Sequence, residues 1–432
     1  MYRIGAALGK IKRNNMKRSL CIFFLLIAGF TQAQNRLARI DRFINDQIKA
    51  NHIAGANALI IRQGKVIYSK SFGYADIPSK RLLKSDDIFR IASFTKAVTA
   101  LAAMMLWEEG KFLLDEPVSK YLPAFKNMQV VDTFNPKDSS YTTKPANREI
   151  TIRDLLRHTS GLAYPVPYLS EDKMVAIYSK AGIRLGMGTT EITNKQAMEA
   201  LAKVPLQHQP GEHFTYGLSS DLLGYLVETW SGQSLPEFYR QRIFEPLEMQ
   251  DTYFTIPAAK QNRLVSIHQP MADGSIVKVE YPIYDKASPS YPIQPSTFFS
   301  GGGGLSGTIG DYAKFLAMFL NKGSYKGKRL LSPKTVDLML TNQLAEGVTA
   351  SPVPQMTADF AFGLGFALET EKNDYVLPLS KGSFSWDGAF QTHYFADPKE
   401  QLIGIIFTQQ YFSPYWSNGE MFRNMVYQAI GE

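Results

Sequence analysis

In the stretch FRIASFTKAVTALAAMMLWEEGK, Phe89 to Lys111, Ser93 stands three residues before Lys96, where a helical apolar pattern begins. Residues three apart on a helix share a face, so the lysine amine reaches the serine hydroxyl. A hydroxyl is a poor nucleophile until a base takes its proton, and an amine whose charged form is disfavoured by burial can be that base. The free N–H groups at a helix start also favour an oxyanion forming beside them. Ser-x-x-Lys arises by chance as well, with the serine as a plain N-cap. The pattern gains meaning from what accompanies it.

Two further stretches supply that company. In PGEHFTYGLSSDLLGYLVETWSG, Pro210 to Gly232, Tyr216 lies between a Pro-Gly turn and a helix. A phenol held there beside a lysine relays a proton to a leaving group; alone, it reads as a tyrosine packed on a helical region. In SFSWDGAFQTHYFADPKEQLIGIIFTQ, Ser383 to Gln409, Trp386-Asp387-Gly388 precedes a β-run whose edge offers the backbone N–H of Ala389. With the Ser93 N–H this makes two donors, the minimum for an oxyanion hole, and Gly388 lets a substrate approach the backbone closely.

These residues need elements to hold them. Leu37, Ile40, Phe43, Ile44 and Ile48 follow a helical period. Two β-rich runs, 58–62 and 66–71, are joined by Gln63-Gly64, a hairpin signal. Helices are expected over 97–109, 152–157, 219–230 and 309–320, strands over 365–369, 375–379, 392–396 and 402–408, and a last helix over 419–430. Strands at both ends with helices between predict one sheet built from both termini and a helical lobe inserted in the middle.

Composition narrows the partners. Residues 16–33, MKRSLCIFFLLIAGFTQA, read as a secretory signal cleaved after Ala33, with Met1 or Met16 as the start. The apolar run Leu20 to Phe30 is eleven residues, short of the roughly 20 needed to span a bilayer, so no membrane span is expected after cleavage. Residues 1–33 carry six Lys and Arg and no acid, so the net charge of +8 falls to +2 without them. No clustered basic face remains to bind nucleic acid. Cys21, the one cysteine, also lies in the leader, which suits a periplasmic or secreted protein that needs no disulfide.

The order Ser-x-x-Lys, Tyr, then a Gly-containing strand motif, with sheet at both ends, resembles the serine β-lactamase and penicillin-recognising hydrolases. It is most similar to the class C relatives, in particular the family VIII carboxylesterases. Further matches are LLDEPVSKYLP at Leu113, ITIRDLLRHTSGL at Ile150, IFEPLEMQDTYF at Ile243, GGGGLSGTIGDYAKF at Gly301 and WDGAFQTHYFADP at Trp386. The resemblance implies an α/β (α+β) fold of the β-lactamase/transpeptidase type, with a sheet lobe of residues 34–92 and about 355–432 and a helical lobe of about 93–354. It implies Ser93 as acylated nucleophile, Lys96 as its base, Tyr216 as partner in proton transfer, and the N–H groups of Ser93 and Ala389 as oxyanion hole. No metal or cofactor is implied, and the partner is a small ester or amide.

Two departures from the β-lactamase pattern bear on substrate binding. Leu218 stands where that pattern has an asparagine that binds a substrate amide, and Trp386-Asp387-Gly388 replaces Lys-Thr-Gly. An acid at Asp387 is expected to repel a substrate carboxylate. Lys381-Gly382-Ser383 offers a rival register, but the spacing from Trp386 through Asp397-Pro398 fits the esterase-like pattern better. Uncharged carboxylic esters are therefore the expected substrates. A β-lactamase or D-amino-acid peptidase, and a sensor that acylates and stalls, are the alternatives.

Other candidates have plainer readings. Gly-x-Ser-x-Gly is absent, so a lipase-type elbow is unsupported. His158 is read as structural, and His208 with His213 lacks a third zinc ligand. His393 reaches the cleft edge or stays on the strand surface. The Gly301 to Gly304 run, Gly303 included, is read as a backbone wall of the cleft. Tyr281, Tyr284, Tyr291, Phe298 and Phe299 line an acyl or aryl pocket or pack the loop.

Overall fold

The computed structural model describes residues 36–284, 287–348, 350, 360–375 and 377–431; the expected leader lies outside them. Its frame is an eight-stranded antiparallel sheet. Across the sheet the order is Ala361–Phe362, Ala367–Leu368, Phe384–Gly388, Thr392–Asp397, Leu402–Phe407, Gly55–Arg62, Lys65–Asp76 and Arg81–Leu82. The C-terminal strand Leu402–Phe407 pairs with the N-terminal strand Gly55–Arg62, from Asn57 opposite Phe407 to Arg62 opposite Leu402. One sheet is thus closed from both ends of the chain. Gln63 and Gly64, with φ of 51° and 71°, make the two-residue hairpin that the sequence signalled.

Alternation along the strands divides the core. On one face Ala58, Ile60 and Ile406 pack with Ile40 and Ile44 of the helix at 36–49 and with Phe422 and Val426 of the helix Asn418–Ile430. On the other, Leu59, Ile405 and Phe407 meet the helical lobe. The sheet is therefore sandwiched, with both terminal helices on the far side from Ser93. Thr95–Glu108 runs through the centre of the lobe, buried continuously from Thr95 to Leu106. A helix apolar on all sides belongs in a core. The helices Ile152–Leu156, Ser219–Ser231 and Ile309–Leu320 surround the lobe, close to their expected spans.

One expectation is corrected, and two features go beyond the sequence reading. Residues 371–375 form turns, and no strand is found among the described residues of 375–379. Two exposed acids, Glu371 and Asp374, sit in that segment and suit a turn. Trp386-Asp387-Gly388 precedes the strand Thr392–Asp397 as expected, but it also ends a strand of its own, Phe384–Gly388, which the sequence reading did not include. The hairpin Gln129–Asn135 with Ser140–Pro145 was not foreseen, because its second strand is wholly exposed and carries no apolar alternation. No helix among the described residues is long and apolar enough to cross a membrane.

Candidate active site

The segment entering the central helix is held at both ends. Ile91 N–H donates to the Leu305 carbonyl, and the Phe94 ring is wedged between Tyr312 and Tyr394 at centroid distances of 4.5 and 4.7 Å. Between them Ala92 takes a φ of +42°, strained for a residue with a Cβ, and Ser93 follows in a single 3-10 turn. Strain of this kind persists where packing over-determines the backbone. Its effect is to set Ser93 at the mouth of the lobe, partly exposed, above an otherwise buried helix.

Lys96 lies one turn on and is only 3 % exposed. Its Nζ is 3.0 Å from Ser93 Oγ and donates to the Gly302 carbonyl at 2.6 Å. The rings of Tyr216 and Tyr164 stand 4.5 and 5.5 Å from the same nitrogen. An ammonium enclosed by one carbonyl, one hydroxyl and two aromatic faces has lost most of its water, and the ring faces offset part of that loss. Tyr216 is reached by Trp386, whose Nε1–H donates to its hydroxyl across 3.2 Å. That bond spans the sheet and the helical lobe.

Gly302 belongs to the glycine run, and the run is a wall as expected. A Cβ at Gly302 would lie 2.5 Å from Asp221 Oδ2, and one at Gly303 would be 3.3 Å from Met187 Sδ. Asp221 was not anticipated. Fully buried in the helix Ser219–Ser231, it accepts from Ser300 Oγ at 2.5 Å and from Gly302 N–H at 3.2 Å. Burial pushes its carboxyl above the ordinary value, against the opposing pull of Ser300, the Lys96 charge and the Gly302 N–H. An acid on an otherwise apolar helix face, five residues after Tyr216, was the available signal.

Around these groups lies a small cleft of about 50 Å3. Ser93, Tyr216, Ala389 and Gly303 line it, joined by Tyr164, Leu169, Leu185, Met187 and Tyr284. No arginine or lysine side chain lines it among the described residues. Of the five aromatics proposed for an acyl pocket only Tyr284 enters, and its hydroxyl donates to the Ala389 carbonyl at 3.1 Å. Phe298 packs beneath Gly186. Phe299 faces a separate, larger cavity of about 740 Å3, beside Phe254 and Met249, which none of Ser93, Lys96 and Tyr216 reaches. The smaller cleft holds the reactive groups, and size is no guide here.

Four expectations at this end of the sheet are revised. Strand alternation sends Trp386 toward Tyr216 and Asp387 to the opposite face, so the Asp387 carboxylate does not look into the cleft. It bonds His393 Nδ1 at 2.7 Å, and His393 lies on that far face too, not at the cleft edge. Burial raises the Asp387 carboxyl, but the charge and hydrogen bond of His393, with Arg423, outweigh it and hold the carboxyl below its ordinary value. Leu218 is buried beside Ala163 and does not line the cleft. Gly388 is required for a different contact: a Cβ there would run into Thr392 Oγ1 and lie 2.7 Å from the Ile91 carbonyl oxygen. The glycine lets the strand end close on the Ser93 segment.

His158 is a buried neighbour of the site. Its ring is 5.2 Å from that of Tyr216, and burial, assisted by the Lys96 charge, lowers its pKa to about 3. It is a neutral packing partner. His208 bonds Thr215 at 2.7 Å, and no metal-binding cluster is found among the described residues.

Known proteins share this architecture. A family model described as Beta-lactamase matches residues 40–423. An uncharacterised protein of Mycobacterium tuberculosis is 33% identical over 374 residues, 85% of this chain and 88% of its own. The esterase EstB of Burkholderia gladioli is 29% identical over 390 residues, 87% of this chain and 91% of its own. Among solved structures, EstCE1, described as a hydrolase with promiscuous acyltransferase activity, superposes with a TM-score of 0.77 at 26% identity, over 91% of this chain and 99% of that one. Matched across nearly all its described residues and folded as these relatives are, the chain belongs to the beta-lactamase family and is a serine hydrolase of that fold.

Proposed function

We propose that the protein cleaves uncharged carboxylic esters through an acyl-enzyme on Ser93. The observation that carries this reading is the 3.0 Å approach of the buried Lys96 Nζ to Ser93 Oγ at the floor of an apolar cleft. Lys96 serves as the base, its Nζ taking the Ser93 proton while Oγ attacks the ester carbonyl. The N–H groups of Ser93 and Ala389 receive the oxyanion. Tyr216 accepts from Trp386 and so keeps its own O–H to protonate the departing alcohol. Water then gives one proton to the Tyr216 phenolate as its oxygen attacks the acyl-enzyme, and Ser93 Oγ leaves with the proton held on Lys96, which releases the acid and restores all three groups.

An uncharged ester is supported by the lining, which is mostly apolar and aromatic, includes the acid Asp221, and carries no lysine or arginine side chain among the described residues; the one cation nearby among them, Lys96, lies beneath Ser93. This replaces the arguments from Leu218 and Asp387, neither of which faces the cleft. The leader sequence supports delivery to the periplasm or exterior. The test is a side-by-side assay of the protein and Ser93→Ala on a short-chain nitrophenyl ester and a chromogenic cephalosporin. Ser93-dependent ester turnover with little cephalosporin cleavage is expected. Efficient cephalosporin turnover would favour a β-lactamase, a stoichiometric burst without turnover a sensor, and turnover by Ser93→Ala would remove the assignment.

A further inference from the structure

Asp387 and His393 are directly opposed on neighbouring antiparallel strands and bonded at 2.7 Å, on the face of the sheet turned away from Ser93. The residues beside them, Trp386 and Tyr394, are also directly opposed and face the other way. Trp386 holds the Tyr216 hydroxyl, and Tyr394 packs edge-on against Phe94, the residue after Ser93. One step along the strand from Asp387 comes Gly388, closed upon Ile91, and then Ala389. A polar pair thus backs the short length of strand whose front carries the cleft.

The pair is itself clamped. The terminal helix begins against the imidazole so tightly that a Cβ at Gly419 would overlap the ring, and Trp416 meets it edge-on at 5.4 Å. Glu420 and Arg423 of that helix line the same small recess. His393 is 6 % exposed, and its Nε2 is buried with no hydrogen-bond partner among the described residues, so the ring's one polar tie among them is to Asp387. A buried ring with one bond has its orientation set by that bond, and the carboxylate is in turn held to the strand register.

We infer that the Asp387–His393 pair is a positioning device, fixing the end of the strand Phe384–Gly388 so that the Ala389 N–H and the Trp386–Tyr216 bond meet the Ser93 oxygen in register. The inference rests on the proposed ester hydrolysis at Ser93. Neither side chain touches substrate. Their loss lets the strand end shift, which weakens groups that act only as the oxyanion forms and leaves ground-state binding in the apolar cleft unchanged. Removal of an oxyanion donor costs about 100- to 1000-fold in kcat; a misplaced donor costs less, on the order of tenfold.

The experiment measures ester kcat and KM for Asp387→Ala, His393→Ala, the double variant and Asp387→Asn, each kcat divided by the number of sites a fluorophosphonate probe captures. Counting captured sites removes misfolded molecules from the comparison. Each alanine variant is expected to lose about tenfold in kcat per site with KM within about twofold. The double variant is expected to be no worse than the poorer single, because the two act as one unit. Asp387→Asn, which still accepts from Nδ1–H, is expected to recover most of the loss. Unchanged kcat per site, a loss that falls on KM, multiplying losses in the double variant, or fewer captured sites of normal activity would each overturn the inference. Ester turnover that survives in Ser93→Ala overturns the reading beneath it, and both fall together.

Discussion

Trp386 Nε1 and the Tyr216 hydroxyl, 170 residues apart in sequence, meet at 3.2 Å, so the sheet and the helical lobe are joined by a hydrogen bond at the candidate site itself. The Trp386 ring is also fixed by Phe362 at 5.3 Å and by Tyr216 at 5.4 Å. Trp386→Phe keeps an aromatic ring in the packing and deletes the donor. A neutral hydrogen bond contributes about 0.5–1.5 kcal/mol net, which is a few-fold to tenfold in rate if it orients Tyr216 in the transition state. Ester kcat is expected to fall by that amount with the melting temperature nearly unchanged. An unaltered kcat would show that the bond joins the lobes without orienting Tyr216.

Lys96 is enclosed too well to be a surface charge. Lys96→Met fills a similar volume, removes the amine and leaves the Gly302 carbonyl without this donor. Loss of a general base costs about 100- to 10,000-fold, so ester turnover and probe capture at Ser93 are expected to fall together by at least the lower figure. Lys96→Arg is not expected to rescue, because a guanidinium does not act as a base. Rapid capture of the probe by Lys96→Met would place the base elsewhere.

Much of this arrangement was legible in the sequence, and the failures have physical causes. The hairpin at Gln63-Gly64, the closure of the sheet from both termini and the central helix follow from period and turn chemistry, which are local. The meeting of Ser93 with Lys96 follows from helical spacing, and Tyr216 and Ala389 from their motifs. The directions of Asp387 and Leu218 were misjudged, and that of His393 was left open, because facing depends on where a strand or helix starts. Once Phe384–Gly388 is a strand in its own right, alternation turns Asp387 away. Asp221 was missed for a different reason: its partners, Ser300 and Gly302, lie about 80 residues downstream and no local pattern announces them.

Gly388 tests the contact between the strand end and the nucleophile segment. A Cβ at that position would collide with Thr392 Oγ1 and press on the Ile91 carbonyl. Gly388→Ala must therefore shift the strand end away from Ser93, and a displacement of about 1 Å at a reacting centre costs on the order of 100-fold. Ester kcat is expected to fall by that order while far-ultraviolet circular dichroism stays native. If the glycine instead admits substrate to the backbone, the variant will lose affinity in KM with kcat preserved.

His158 makes stability depend on pH in a direction that can be stated. Burial, with the Lys96 charge adding to it, holds its folded-state pKa at about 3, whereas an unfolded histidine titrates near ~6.5. Above that higher value both states are neutral and the residue contributes no pH dependence. As pH falls below it the unfolded chain takes up a proton that the folded protein refuses, so stability declines until the folded pKa is reached. At pH 5 the loss is about 2 kcal/mol relative to pH 7. His158 also has a φ of +57°, a conformation asparagine tolerates, so His158→Asn removes the titration without forcing the backbone. The urea midpoint of the variant is expected to start lower at pH 7, because ring packing against Tyr216, Phe214 and Phe362 is lost. It should then fall less between pH 7 and pH 5 than that of the parent. Parallel declines in the two proteins would assign the acid sensitivity to other groups, of which His268, buried and lowered to about 4, is the next to substitute.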